Sequence, residues 1–140
     1  AKSVNSGSIF DPELNKRTGV YSQYVKGDIN SYGISYQANA KFNPGRQTSN
    51  LRKNKGFYLA ANGPVGIEPD SRTWQKITRV KNGQNIQMAV DERRIIDFAD
   101  DPDNLGPVLG KGKMGFRQMR WTVAKYRNFK VYELAVTRRR

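Results

Sequence analysis

Residues 74–90 are Trp-Gln-Lys-Ile-Thr-Arg-Val-Lys-Asn-Gly-Gln-Asn-Ile-Gln-Met-Ala-Val, two strand-like runs on either side of Asn82-Gly83. An Asn-Gly pair between such runs is the strongest short-range hairpin signal, because a type I′ turn needs positive φ at both central residues. Ile86, Met88 and Val90 alternate along the second run and are predicted to form its inner face. The stretch therefore predicts an antiparallel hairpin within a β protein.

Further strand-like segments occur along the rest of the chain. They are residues 30–38, 49–54, 56–61, 94–98, 112–121 and 124–136. Turn residues separate several of them, for example Asn43-Pro44-Gly45 and Asp91-Glu92-Arg93. Many short strands, with neither a persuasive 3.6-residue period nor a repeat, predict an antiparallel sandwich or barrel. At 140 residues, the chain is expected to form one all-β domain over residues 1–140.

The segment at residues 30–38 shows the clearest alternation. Tyr32 and Tyr36 share one face with Ile34. The opposite face contains Ser31 and Gly33 and is unusually small. Such a face is either exposed to solvent or covered closely by another part of the molecule.

The composition excludes several kinds of site. The chain contains neither Cys nor His, so it cannot form a disulfide, a Ser-His-Asp triad or a zinc hydrolase site. It has 25 Lys and Arg residues against 12 Asp and Glu residues, which gives a net charge of +13. A field of this sign attracts polyanions, namely nucleic acid, acidic polysaccharide or an anionic membrane surface. No apolar run approaches the roughly 20 residues that span a bilayer.

The segment at residues 112–121 is predicted to be a strand that presents Arg117 or Gln118 on a concave face, with Trp121 at the rim. A planar donor, an amide and a ring suit the recognition of a sugar. The alternative is a core strand whose Arg lies in solvent. Other aromatic and planar polar residues of the chain could contribute to the same site. The candidate substrate-binding residues are Tyr24, Asp28, Asn50, Arg52, Lys53, Gln118 and Trp121. The candidate catalytic residues are Tyr32, Tyr36 and Arg117.

If the protein cleaves a polysaccharide, its residues favour a lyase over a glycoside hydrolase. Elimination at a uronate needs a base and a group that neutralises the carboxylate. Without His, Tyr32 or Tyr36 is the expected base and Arg117 the neutralising group. Hydrolysis needs two facing carboxylates, but Asp28 is the only acid in the aromatic-rich region and Glu133 has no evident partner.

The sequence is compatible with two further kinds of site. Basic residues interleaved with aromatic residues in the C-terminal third could clamp single-stranded nucleic acid, although no known nucleic-acid-binding motif is present. The acidic loop Asp100-Asp101-Pro102-Asp103 could bind a structural calcium ion, but a solvated loop is the preferred interpretation and no cofactor is expected.

Several motifs resemble one known family. They are Ile9-Phe10-Asp11-Pro12, Gly27-Asp28-Ile29, Asn50-Leu51-Arg52-Lys53, Gly56-Phe57, Gly115-Phe116-Arg117-Gln118-Met119 and Tyr126-Arg127-Asn128-Phe129. In this order they resemble the galectin-like or concanavalin-like sandwich domains of the YesU type. The resemblance implies a jelly-roll of two antiparallel sheets. It also implies a substrate related to pectin, rhamnogalacturonan or another acidic polysaccharide such as ulvan, but it implies no particular reaction.

The chain departs from this family pattern in two respects. Val25 and Gly33 stand where family members have His, so a catalytic role of those His residues does not carry over. The family domain also has strands ahead of the Phe-Asp-Pro motif that are absent here. We therefore expect the chain to be the C-terminal two-thirds of the family domain, with a second chain as a candidate partner that completes the sheet. A secreted or periplasmic location is slightly favoured over a cytoplasmic one.

Overall fold

The structure is a computed structural model that describes residues 2–3, 8–36, 48–54, 56–68, 71–118 and 123–135. It contains two antiparallel sheets. The four-stranded sheet consists of β1 (Lys2–Ser3), β2 (Ile29–Ser35), β3 (Ser49–Asn54) and β4 (Tyr58–Gly63). The three-stranded sheet consists of β5 (Ile77–Asn82), β6 (Asn85–Val90) and β7 (Arg93–Ala99). Two short helices, α1 (Tyr21–Lys26) and α2 (Pro102–Leu105), complete the described elements.

The core lies between the two sheets. Its buried apolar residues are Leu51, Ile86, Met88, Val90, Ile95 and Ile96. The alternation predicted for residues 86–90 is confirmed, because Ile86, Met88 and Val90 are all buried. Full burial of each such side chain contributes about 1.5–3 kcal/mol. The predicted all-β, two-sheet antiparallel architecture is therefore confirmed.

The predicted hairpin is confirmed, but its turn lies one residue further along. Asn82 pairs with Asn85, so Gly83 and Gln84 are the two turn residues. Gly83 has a φ of 55°, whereas Gln84 is not among the residues with positive φ. That pattern is typical of a type II′ turn, in which only the first central residue needs positive φ.

The type I′ pattern occurs at the next turn instead. Val90 pairs with Arg93, and the intervening Asp91 and Glu92 have φ values of 46° and 70°. The Asp91 carboxylate accepts a hydrogen bond from the Lys76 backbone N at 2.7 Å, which stabilises this unusual backbone from outside the turn. A turn at Asp91–Arg93 was predicted from the sequence, but not its type.

The C-terminal third differs from its prediction. Within the described residues, 112–118 and 123–135 belong to no strand, while 119–121 and 136 lie outside the described part. Met114 and Phe116 are 59% and 54% exposed, so no strand among the described residues covers them. Alternating polar and apolar residues form a strand with two distinct faces only where a neighbouring strand pairs with their backbone N–H and C=O groups. The predicted strands at 112–121 and 124–136 are therefore wrong over their described residues.

Three short elements were not predicted. Helix α1 spans six residues, too few for a helical period to be visible. Helix α2 begins where the Asp101 side chain accepts a hydrogen bond from the Asp103 backbone N at 3.0 Å. Strand β1 pairs with the beginning of β2. No helix among the described residues is long and apolar enough to cross a membrane.

Candidate functional site

The small face of β2 is covered by a tyrosine from α1. A Cβ atom placed on Gly33 would lie 2.5 Å from the Tyr24 hydroxyl oxygen. A larger residue at this position would require the Tyr24 ring to move away from the sheet. Of the two possibilities left open by the sequence, close coverage is the one that the structure adopts.

Tyr24 belongs to a cluster of three rings. Its centroid lies 6.1 Å from that of Tyr21 and 5.7 Å from that of Phe57, and the Tyr21 and Phe57 centroids are 5.8 Å apart. Phe57 packs edge-on against both tyrosines, which is a favoured aromatic geometry. Tyr21 remains 50% exposed. The cluster therefore presents ring surface to solvent.

The Phe57 ring is held by an uncommon backbone. Phe57 has a φ of 58°, in the left-handed region that bulky residues rarely adopt. Arg52 stabilises this conformation, because its Nη1 donates a hydrogen bond to the Phe57 carbonyl at 3.0 Å. Strained residues of this kind concentrate at binding and catalytic sites.

Two guanidinium groups lie over the rings. The Arg52 guanidinium lies 4.1 Å from the Phe57 centroid, and that of Arg117 lies 4.0 Å from the Tyr24 centroid. Each such contact contributes about 0.5–1 kcal/mol at an exposed site. We call this set the aromatic–guanidinium cluster, and it consists of Tyr21, Tyr24, Arg52, Phe57 and Arg117.

Amide groups extend the same face of the sheet. Gly33 pairs with Arg52, so the face beneath Tyr24 also carries the Arg52 side chain. Asn50, two residues before Arg52, shares that face and pairs with Asn62 of β4. This outer face, opposite the core, therefore combines rings, guanidinium groups and amides.

Tyr32 and Lys53 lie on the inner face, opposite the cluster. The Tyr32 hydroxyl donates a hydrogen bond to Asp100 Oδ2 and accepts one from the Leu109 backbone N at 3.0 Å. Lys53 Nζ donates to Asp100 Oδ2 at 2.7 Å and to the Gly106 carbonyl at 2.6 Å. These groups fasten the segment after β7 to β2 and β3.

The predicted bases are held in their protonated form. Burial, followed by the hydrogen bond to Asp100, raises the pKa of Tyr32 to about 12. Burial, followed by the proximity of Tyr126, raises the pKa of Tyr36 to about 12. Because Tyr32 projects from the opposite face of β2 to Gly33, it is also separated by the sheet from Arg117. The structure therefore does not assemble the candidate catalytic set.

Asp28 organises the loop before α1. It accepts a hydrogen bond from the Asn15 backbone N at 2.9 Å and forms an ion pair with Arg17 at 3.1 Å. The Asn15 N–H first, then the backbone N–H of Asp28 itself and the Arg17 guanidinium, hold the pKa of the Asp28 carboxyl below its usual value against the opposing effect of burial. The adjacent cavity of about 440 Å³ is lined by Asn15, Lys16, Arg17, Ser22, Gln23, Lys26, Gly27 and Asp28.

The remaining candidates do not join the cluster. Gln118 Nε2 donates a hydrogen bond to the Ala124 carbonyl at 3.1 Å, and Trp121 lies outside the described residues. Among the described residues, no group of three or more acidic side chains could hold a metal ion. In the acidic loop, Asp100 is buried and its carboxylate binds Lys53 and Tyr32, so the preferred interpretation of a solvated loop is wrong for this residue.

The predicted site is thus divided between two faces of one sheet. The outer face brings together Tyr24, Arg52 and Arg117, with Asn50 on the same strand as Arg52. Sequence reasoning missed Tyr21 and Phe57 as members of this cluster. The signal that could have found them is aromatic character close to residues already selected, since Tyr21 is three residues before Tyr24 and Phe57 follows Arg52 by five. Their contacts depend on α1 and on the Phe57 backbone, neither of which the pattern predicts.

The comparisons with known proteins agree with this architecture. A family model described as a domain of unknown function, DUF1961, matches residues 1–131. The chain is 39% identical over 137 residues to the uncharacterized protein YesU of Bacillus subtilis strain 168, covering 95% of this chain and 62% of YesU. The chain therefore spans less than two thirds of that relative.

A solved structure shares the fold. It is the crystal structure of a Bacillus subtilis protein of unknown function with a galectin-like fold, similar with a TM-score of 0.72 and 34% sequence identity. The match covers 79% of this chain and 51% of that one. The sandwich family inferred from the sequence motifs is thereby confirmed.

Proposed function

Because the chain belongs to the DUF1961 family and has a galectin-like fold, we propose that it is a carbohydrate-binding β-sandwich whose outer face binds an acidic oligosaccharide. The observation that carries this proposal is the aromatic–guanidinium cluster. Exposed ring surface at Tyr21 lies beside two guanidinium groups that are positioned by the rings of Phe57 and Tyr24.

The chemistry of the cluster suits a sugar that bears a carboxylate. Aromatic rings supply apolar surface for the C–H faces of a pyranose. A guanidinium stacked over a ring keeps its N–H edge available for a carboxylate, which it can bind through two parallel hydrogen bonds. Asn50 supplies both a donor and an acceptor, as vicinal hydroxyls require. The net charge of +13 would raise the local concentration of such a polyanion.

The spacing of polar side chains along β3 suits an extended oligosaccharide. Asn50 and Arg52 lie on one face of a strand, two residues apart, so their Cα atoms are separated by about 7 Å. An oligosaccharide that runs along β3 would meet these side chains in succession. The proposed ligand is accordingly an oligomer rather than a single sugar.

The proposal is for binding without cleavage. A lyase needs a base that is deprotonated near neutral pH, and the pKa values of Tyr32 and Tyr36 are both raised to about 12. Both tyrosines also lie on the core side of the sheet. With an acidic oligosaccharide, the absorbance of an unsaturated product should therefore stay flat, and its appearance would establish the lyase instead.

Calorimetry with oligosaccharides of polygalacturonate, rhamnogalacturonan and ulvan at low salt tests the proposal. Arg52→Ala and Arg117→Ala should each weaken binding by about tenfold, as expected for one charge-assisted contact. Arg127→Ala is the matched control, because its guanidinium is stacked over Trp74 at 3.9 Å and lies outside the cluster. The proposal fails if the unmodified protein binds none of these ligands, or if all three variants behave alike.

Nucleic acid is the competing polyanion. Single-stranded DNA or RNA would bind through the exposed basic residues of the C-terminal third with a steep salt dependence. The affinity of that binding should not change in Arg52→Ala, because Arg52 lies on β3 and not in the C-terminal third. Tight binding of a nucleic acid that survives Arg52→Ala, without binding of any saccharide, would favour this alternative.

A second candidate is supported by the exposed apolar side chains of the C-terminal third. They include Met114, Phe116, Phe129, Val131 and Tyr132. Such a surface is typical of an interface, and the partner would be a chain that supplies strands to the sheet. Light scattering tests this candidate, since a monomer at all concentrations would rule out completion by a second copy.

A further inference from the structure

A second cavity lies at the end of β3 and carries a group that the proposed function does not use. It has a volume of about 170 Å³ and is lined by Asn30, Lys53, Asn54, Leu105, Pro107 and Leu109. The polar residues come from β2 and β3, whereas the apolar ones come from the segment that begins at the end of α2. The cavity thus has one polar wall and one apolar wall.

Asn54 contributes a buried acceptor to the polar wall. The residue is only 2% exposed, and its Nδ2 donates a hydrogen bond to Ser31 Oγ at 3.2 Å. Its Oδ1 has no hydrogen-bond partner within the described structure. A buried acceptor of this kind favours a ligand or solvent group that donates a hydrogen bond.

Lys53 contributes a donor without contributing net charge. Its ammonium group has three N–H bonds, and two of them are directed at Asp100 Oδ2 and the Gly106 carbonyl. The third can serve a group in the cavity. Because the Asp100 carboxylate balances the ammonium at 2.7 Å, the wall as a whole is neutral. A neutral wall with a donor and an acceptor matches a hydroxyl group better than a carboxylate.

We propose that this cavity binds an uncharged, hydroxyl-bearing group of the same saccharide, with Asn54 and Lys53 as its polar partners. Its volume corresponds to about five or six waters in the liquid, enough for a hydroxymethyl group or two neighbouring hydroxyls. Asn54 follows Arg52 by two residues and so shares its outer face, whereas Lys53 borders the cavity from the inner face. The cavity therefore lies at the strand end, about 7 Å beyond the Arg52 position, where a ligand on the outer face meets Asn54 first. This inference rests on the proposed function and adds a subsite for a neutral part of the ligand.

Filling the cavity from its apolar wall tests the inference. Pro107 is exposed at the cavity, so Pro107→Trp should narrow it with little effect on the core. We expect Pro107→Trp to weaken binding of the best acidic oligosaccharide by about tenfold in calorimetry. Asn104→Trp is the matched control, since it adds the same ring to the same segment at an exposed position that does not line the cavity.

An NMR measurement provides a second readout on the unmodified protein. The side-chain amide resonances of Asn54 should shift when the oligosaccharide is added, and should shift less with an O-methylated derivative that cannot donate hydrogen bonds. Unchanged resonances overturn the inference even if Pro107→Trp fails to fold.

The outcomes separate this inference from the proposed function. If the unmodified protein binds no saccharide, the proposed function has failed. If it binds with the expected dependence on Arg117, but Pro107→Trp and Asn104→Trp bind equally well, the cavity inference is overturned while the proposed function stands.

Discussion

The ammonium group of Lys53 lies 2.7 Å from the Asp100 carboxylate, and the two side chains are only 4% and 0% exposed. Lys53 belongs to β3 of the four-stranded sheet, whereas Asp100 directly follows β7 of the other sheet. The ion pair therefore joins the two layers of the sandwich in its interior. It also removes Lys53 from the set of side chains available to an acidic ligand.

Removing the cation from this pair should be costly. Lys53→Met leaves Asp100 buried without its charged partner, which typically destabilises a protein by about 3–5 kcal/mol. Urea denaturation measures the change, and Lys125→Met, at an exposed position, should alter the free energy of unfolding little. Adding Asp100→Leu to Lys53→Met should restore part of the loss. A cost below about 1 kcal/mol for Lys53→Met would contradict a buried pair.

The contact between Gly33 and Tyr24 predicts a pair of compensating substitutions. Gly33→Ala should destabilise the fold by about 1–3 kcal/mol, because the new methyl group would lie 2.5 Å from the Tyr24 hydroxyl oxygen. Tyr24→Phe removes that oxygen, and the next atom, Cζ, lies at 3.7 Å, an ordinary contact.

A double-mutant cycle in urea therefore checks this contact. The cost of Gly33→Ala should largely disappear in the Tyr24→Phe background. An equal cost in both backgrounds would show that the Tyr24 hydroxyl does not lie on Gly33.

Stability should fall at high pH because of two tyrosines. The pKa values of Tyr32 and Tyr36 are about 12 in the folded protein, above the value of 10.0 expected on unfolding. Between these values the unfolded state has lost the phenolic protons that the folded state retains, so the free energy of unfolding decreases as pH rises. The contribution of these groups is fully present below about pH 10 and is lost as pH approaches about 12.

Urea denaturation at several pH values from about 9 to 11.5 measures this slope. Tyr32→Phe should make it shallower, because one of the two shifted groups is removed. Tyr132→Phe is a suitable control, since that ring is 75% exposed. An identical slope in Tyr32→Phe would contradict the raised pKa.

The carboxyl of Asp28 should titrate below its usual value of 3.8. The Asn15 backbone N–H is the largest cause and Arg17 a smaller one, so Arg17→Met should reverse only part of the shift. Carbon NMR of the carboxyl during an acid titration measures both values. Full return to 3.8 in Arg17→Met would show that the Arg17 ion pair, and not the Asn15 N–H, is the dominant cause.

Local sequence patterns correctly predicted strands whose signals are alternating residues and nearby turn residues. Residues 49–54 and the hairpin around Gly83 were predicted because alternation and turn residues are local properties. The turn was misplaced by one residue, since both Asn82-Gly83 and Gly83-Gln84 contain the glycine that a turn requires. The same alternation wrongly predicted a strand through Phe116, where the described structure provides no neighbouring strand.

The sequence by itself determined the antiparallel β class, the alternation of Ile86, Met88 and Val90, and the exclusion of His- and Cys-based chemistry, because these depend on composition and on a two-residue period. The choice of a sandwich over a barrel came from the resemblance of its motifs to a known family. Only the tertiary structure decided which polar residues meet. Lys53 and Arg52 are neighbours in the chain, yet strand geometry sends one to the buried Asp100 and the other to the outer face with Phe57. Arg117 joins Tyr24 across 93 positions of sequence, a contact set by the path of the chain and not by any local pattern.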